Sequence, residues 1–75
     1  MITRDTVISA ILEANAAPAT QEIRDDISLA DQGIDSLSLF NILLILEERE
    51  GIKIPDEDLD QLISVQSIVR YLNSR

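Results

Sequence analysis

The stretch Gly33-Ile34-Asp35-Ser36-Leu37-Ser38-Leu39-Phe40-Asn41-Ile42-Leu43-Leu44-Ile45-Leu46-Glu47-Glu48-Arg49-Glu50-Gly51 decides the fold. Eight of the ten residues from Leu37 to Leu46 are apolar, and the run ends in charge at Glu47 to Glu50. A glycine stands at each border. Asp35 is a good helix N-cap, because its carboxylate can accept from backbone N–H groups two or three residues on. The pattern therefore predicts a helix from about Ser36 to Glu50, closed by Gly51 with a positive φ. Ser36 falls in its first turn. Its hydroxyl then lies near the positive end of the helix dipole, where an anionic group is favoured.

This helix is too apolar for one buried face. Leu39, Ile42, Leu43 and Leu46 make one stripe, and Leu37, Phe40 and Leu44 make another, rotated around the axis. A helix of this kind is buried on most sides, or it borders something apolar that is not always present.

Towards the N-terminus, Thr3 is placed to cap a first helix with Asp5 in its first turn. Val7, Ile8, Ile11 and Leu12 form its helical stripe, and Asn15-Ala16-Ala17-Pro18 ends it. Residues 15 to 34 form a long connection, and a structureless loop of that length is unusual in a small domain. Ile23, Ile27 and Leu29 are expected to pin it to the core. Ser28 and Asp31 have capping-box spacing around a short turn that Gly33 closes.

Towards the C-terminus, Pro55 pushes Ile54 out of helical geometry. Asp56 is expected to cap a short third helix, with Leu59, Leu62 and Ile63 as its apolar face. Ser64 caps a fourth, in which Val65, Ile68, Val69 and Leu72 follow the 0, 3, 4, 7 pattern. No strand alternation of useful length occurs. The expected fold is all-α: a four-helix bundle of three main helices plus a short third one, with residues 1 to 75 forming one domain.

The composition excludes several functions. With no histidine and no cysteine, Ser-His-Asp and Cys-His catalysis, the common zinc sites and disulfides are all ruled out. The two glycines form no phosphate-binding loop. The acidic run Asp56-Glu57-Asp58-Leu59-Asp60 resembles the start of a calcium loop. It fails at the sixth position, Gln61 for glycine, and at the twelfth, Ser67 for glutamate. No metal site and no catalytic residue is expected.

Net charge is −8, from fourteen acidic and six basic residues. This argues against nucleic acid as a partner and fits attraction to basic protein surfaces. Met1-Ile2-Thr3-Arg4 lacks the apolar segment that a signal peptide needs after its basic residue, and no run approaches membrane-span length. The expectation is a cytoplasmic, monomeric protein. Because the chain starts with Met and stops after its last helix, a stand-alone protein is expected rather than an excised domain of a larger protein.

One constellation survives. Gly33-Ile34-Asp35-Ser36-Leu37 resembles the attachment motif of acyl carrier proteins. The similarity continues through Leu46-Glu47-Glu48, Ile54-Pro55-Asp56-Glu57-Asp58, Val65-Gln66-Ser67 and Tyr71-Leu72-Asn73, in register over about residues 2 to 75. The pairing of Asp-Ser-Leu with Ile-Pro-Asp-Glu at this separation is highly specific.

The resemblance implies a four-helix carrier, not an enzyme. Ser36, flanked by Asp35 and Leu37, would bear 4′-phosphopantetheine, donated by coenzyme A through a Mg²⁺-dependent phosphopantetheinyl transferase. The arm's thiol would hold an acyl group as a thioester for fatty-acid, polyketide or specialised lipid biosynthesis. This gives thiol chemistry to a chain without cysteine. Acyl-loading and acyl-processing enzymes would be the other partners, met by Phe40, Asn41, Leu44, Glu47 and Glu48.

General fatty-acid carriers usually show acidic residues just after the modified serine, where Ser38 and Asn41 stand here. That departure points to a dedicated carrier. Carriers of peptide synthetases tend to have a second glycine before the motif, and often His before the serine, so Ile34 and Asp35 lean towards the acyl branch. The alternatives are a carrier of aminoacyl groups and a non-covalent acidic helical interaction module.

Overall fold

The computed structural model describes residues 1–18 and 21–74. Among these residues there are three α-helices: α1, Arg4–Glu13; α2, Ser36–Glu50; and α3, Val65–Asn73. Two 3₁₀ segments, Ala30–Gln32 and Asp56–Gln61, fill the connections. The fold is all-α, with no strand among the described residues, as the hydrophobic periodicity requires.

Helices α2 and α3 start where a polar side chain replaces the missing intrahelical acceptor. At α2, Asp35 Oδ1 accepts from the Ser38 N–H at 2.8 Å. At α3, Ser64 Oγ accepts from the Ser67 N–H at 3.1 Å, and Ser67 Oγ accepts in return from the Ser64 N–H at 2.9 Å. At α1, Thr6 Oγ1 accepts from the Thr3 N–H at 3.3 Å. Gly51 ends α2 at φ 65°, a left-handed conformation that costs glycine little.

α1 packs on both α2 and α3, and the 56–61 segment packs on α3. Val7, Ile11, Leu29, Ile34, Ile42, Leu46, Leu62, Val65 and Ile68 are fully buried where these elements meet. Leu39 and Val69 are half-buried at the edge of this core.

Four expectations need correction. Leu12 is exposed, and Ala10 is fully buried in its place, because the arc of α1 that meets α2 and α3 takes in Val7, Ala10 and Ile11 and leaves Leu12 outside. Ile27 stays on the surface; Ile23, Leu29, Ile34 and Ala17 anchor the connection instead. Ile63 is 53% exposed while Leu62 is buried. The short third helix is a 3₁₀ helix, and its N-cap is Pro55, which leaves Asp56 as the first helical residue.

Backbone and amide bonds hold the long connection. The Leu29 N–H donates to the Ile63 carbonyl at 2.8 Å, and the Gln66 N–H to the Asp25 carbonyl at 3.0 Å. The Gln32 side chain accepts from the Arg24 N–H at 2.7 Å. It also donates to the carbonyls of Arg24 at 2.9 Å and Ile27 at 2.8 Å. Asn73 closes the bundle: its Oδ1 accepts from the Ile2 N–H and its Nδ2 donates to the Ile2 carbonyl, both at 2.8 Å. Arg49 joins α2 to α1 through Glu13 at 2.7 Å and Ser9 at 3.0 Å.

Candidate functional site

Ser36 is exposed at the first position of α2, on a corner fixed from three sides. Gly33 reverses the chain at φ 92°, a conformation that side chains rarely adopt. Ile34 is 2% exposed, and its N–H donates to the Leu29 carbonyl at 3.0 Å. Asp35 then caps the helix. A residue so framed holds its hydroxyl towards solvent without relying on a flexible loop.

The Ser38 N–H, and then the Ser38 hydroxyl, hold the Asp35 carboxyl below its usual value. Asp35 is therefore an anion that spends its charge on the helix cap. The remaining free N–H groups of the first turn and the helix dipole leave the Ser36 hydroxyl in a field that favours an attached phosphodiester.

Apolar surface surrounds this corner. Leu37 is 71% exposed, and Phe40 and Leu44 are 46% and 43% exposed along the same side of α2. Such exposure of three large side chains on one helix is unusual for a surface with no partner. On one side of Ser36, Leu39, Phe40, Leu43 and Leu59 line a groove of about 280 Å³. It adjoins a second space, of about 200 Å³, that shares Phe40, Leu43 and Leu59 and reaches Ile54 and Lys53. On the other side, Ile34, Leu39 and Ile63 line a space of about 310 Å³.

The residues expected to face partners do not share one environment. Phe40, Asn41, Leu44 and Glu48 are exposed. Glu47 is half-buried, and its Oε2 accepts from the Ile54 N–H at 2.6 Å. It ties the end of α2 to the following link, so outward negative charge at this end comes from Glu48 and Glu50. Ser38 and Asn41 place no charge on the helix beside Ser36. Sequence reasoning missed the part of Glu47 in this link, because the bond depends on how the chain doubles back after Gly51. Ile63 was also missed as a surface residue near Ser36.

Among the described residues, no group of three or more acidic, histidine or cysteine side chains is placed to hold a metal ion. No helix among them is long and apolar enough to cross a membrane.

Comparison with known proteins agrees with this geometry. A family model described as "phosphopantetheine attachment site" matches residues 5–72. Similar relatives are named acyl carrier protein. That of Campylobacter hominis is 35% identical over 71 residues, covering 95% of this chain and 85% of the relative. That of Helicobacter acinonychis is 36% identical over 66 residues, covering 88% and 81%. That of Campylobacter jejuni strain RM1221 is 31% identical over 74 residues, covering 99% and 96%. The chain belongs to the acyl carrier protein family, non-catalytic carriers built around a phosphopantetheine attachment site.

Proposed function

We propose that this protein carries acyl groups as thioesters on a 4′-phosphopantetheine arm attached to Ser36, as a dedicated carrier for a polyketide or specialised lipid rather than for housekeeping fatty-acid synthesis. The observation that carries this reading is the corner at Ser36: an exposed hydroxyl on a capped helix start, with apolar grooves on both sides. The residues present fit the group. The first-turn N–H groups of α2 suit its phosphate, and Leu39, Phe40, Leu43 and Leu59 suit an apolar chain. When bound, the arm supplies the thiol that the chain's own residues lack.

Each part of the site has a task. Ser36 presents the acceptor hydroxyl. Asp35 and Ile34 fix the direction of the helix start. Leu37, Phe40 and Leu44 give the phosphopantetheinyl transferase and later acyl-loading and acyl-processing enzymes an apolar surface. Apolar contacts of this kind mainly govern dissociation, while rim charges such as Glu48 steer association. The net charge of −8 suits basic partner surfaces, and the protein acts as a cytoplasmic monomer.

Two measurements test the reading. Incubation with coenzyme A, Mg²⁺ and a phosphopantetheinyl transferase should add one prosthetic group to the intact mass. An unchanged mass, when a reference carrier is fully converted, would leave a non-covalent interaction module. Next, a condensing enzyme or reductase of general fatty-acid synthesis should turn over the acylated protein poorly, and Ser38→Asp with Asn41→Glu should improve it. Turnover equal to that of a housekeeping carrier would defeat the dedicated role and leave the carrier role standing.

A further inference from the structure

Two spaces along α2 share Phe40, Leu43 and Leu59, and of these three only Leu59 comes from outside α2. Leu59 is half-buried and belongs to the 56–61 3₁₀ helix, so the position of that helix fixes the width of both spaces. A 3₁₀ helix has poorer hydrogen-bond geometry than an α-helix and yields more readily. Its ends are anchored by Ile54 on one side and by the fully buried Leu62 on the other. Bonds within the segment and to its N-cap do not attach its middle to the bundle: the Asp58 N–H donates to the Pro55 carbonyl at 3.0 Å, and Gln61 Nε2 donates to Asp58 Oδ1 at 3.3 Å. Among the described residues, the Leu62 N–H donates to the Leu59 carbonyl at 3.1 Å, and the side-chain bond from another helix comes from α3. The Tyr71 hydroxyl donates to Asp58 Oδ2 at 2.5 Å.

We propose that the Tyr71–Asp58 hydrogen bond sets the size of the cargo sheltered beside Ser36, by holding Leu59 as the wall of the groove. This rests on the carrier reading above. Asp58 and Leu59 are consecutive, so the tether acts one residue from the wall. With the bond made, Leu59 stays against Phe40 and Leu43. With it broken, the segment pivots between Ile54 and Leu62, Leu59 withdraws, and the two spaces open for a longer or bulkier acyl chain. Asp58 and Tyr71 are positioning residues; they act on cargo through Leu59.

Tyr71→Phe keeps the half-buried ring and deletes the bond. Asp58→Asn keeps an acceptor and serves as the conservative control. In the protein without its arm, amide hydrogen exchange of residues 57 to 62 should be roughly 2- to 10-fold faster in Tyr71→Phe, the equivalent of one hydrogen bond. It should be near wild type in Asp58→Asn, with α1 and α2 unchanged in both. In the loaded protein, saturated acyl groups of increasing length are attached from acyl-coenzyme A, and thioester cleavage by hydroxylamine is timed. Protection should extend to longer chains in Tyr71→Phe than in wild type or Asp58→Asn. Unchanged exchange at 57 to 62 would overturn the tether whatever the cargo. Faster exchange with an unchanged length profile would overturn the control of cargo size. If no variant, wild type included, accepts an arm, the carrier reading fails and the cargo role fails with it, while the exchange result still decides the tether.

Discussion

Leu44→Ala and Leu46→Ala delete the same atoms two positions apart on α2, yet they should have opposite consequences. Leu46 is 0% exposed and Leu44 is 43% exposed. Truncating a fully buried leucine removes its transfer free energy and leaves a cavity, at a cost of about 2–5 kcal/mol. A chain of this length has a total stability of about 4–11 kcal/mol. Leu46→Ala therefore removes a large share of it. At about 4–8 °C per kcal/mol for a domain of this size, Tm falls by roughly 8–40 °C. Leu44 keeps nearly half its surface in water and its truncation leaves no enclosed void. About 1 kcal/mol is then at stake, part of it recovered by the better helix propensity of alanine. Tm should drop by no more than about 5 °C.

Function should reverse the order. Leu44→Ala removes part of the exposed surface near Ser36, and loss of about 1 kcal/mol of docking lowers the transferase kcat/KM by roughly 5-fold. Leu46→Ala, assayed at a temperature where it is folded, should be modified at nearly the wild-type rate. Circular-dichroism melting and intact-mass time courses measure both. Equal melting temperatures for the two variants, or a loading defect confined to Leu46→Ala, would refute the division of α2 into a core face and a docking face.

Three further outcomes follow from the hydrogen bonds. Asn73→Ala loses both bonds to Ile2 and should lower the unfolding free energy by about 1–2 kcal/mol, read from the urea midpoint. Gln32→Ala frees the backbone at Arg24 and Ile27, so amide exchange should accelerate across the 21–32 connection while the α1 and α3 amides keep their protection. The folded-state carboxyl of Asp35 lies below its usual value, so its stabilising contribution is present above that usual value, about pH 4, and is lost as pH falls through the folded value. Asp35→Asn keeps a capping acceptor but cannot titrate, and its unfolding free energy should fall less steeply than wild type below pH 4. Identical slopes would show that other carboxyl groups carry the acid sensitivity.

The features legible in the sequence are the local ones. Asp35, Ser64, Gly33 and Gly51 mark element ends because capping and left-handed turns are decided within a few residues. The two stripes of α2 separate into buried and exposed sets because fifteen residues give the helical period enough repeats to be read. The core edges were less legible. A stripe identifies neighbours on a helix face, but Leu12 lies at its margin, and the packing of α1 on α2 and α3 buries Ala10 and leaves Leu12 exposed. In the short 56–61 segment, one turn cannot fix which of Leu62 and Ile63 is buried. Tertiary packing settles it and also leaves the segment 3₁₀. The side-chain amides of Gln32 and Asn73 bind backbone that no spacing rule connects to them; Asn73 and Ile2 stand 71 residues apart. Glu47 reads as one more surface acid until the link after Gly51 brings the Ile54 N–H to its carboxylate.

The role of Ser36 is tested most directly by mapping where the prosthetic group goes. Wild type and Ser36→Ala are treated with coenzyme A, Mg²⁺ and a phosphopantetheinyl transferase, then digested and sequenced by mass spectrometry. The added mass should lie on the peptide that contains Ser36, at that residue and not at Ser38. Ser36→Ala should gain none while melting close to wild type, since a first-turn alanine loses little. Modification of Ser36→Ala, or added mass mapped to Ser9, Ser28, Ser38, Ser64, Ser67 or Ser74, would contradict the assignment.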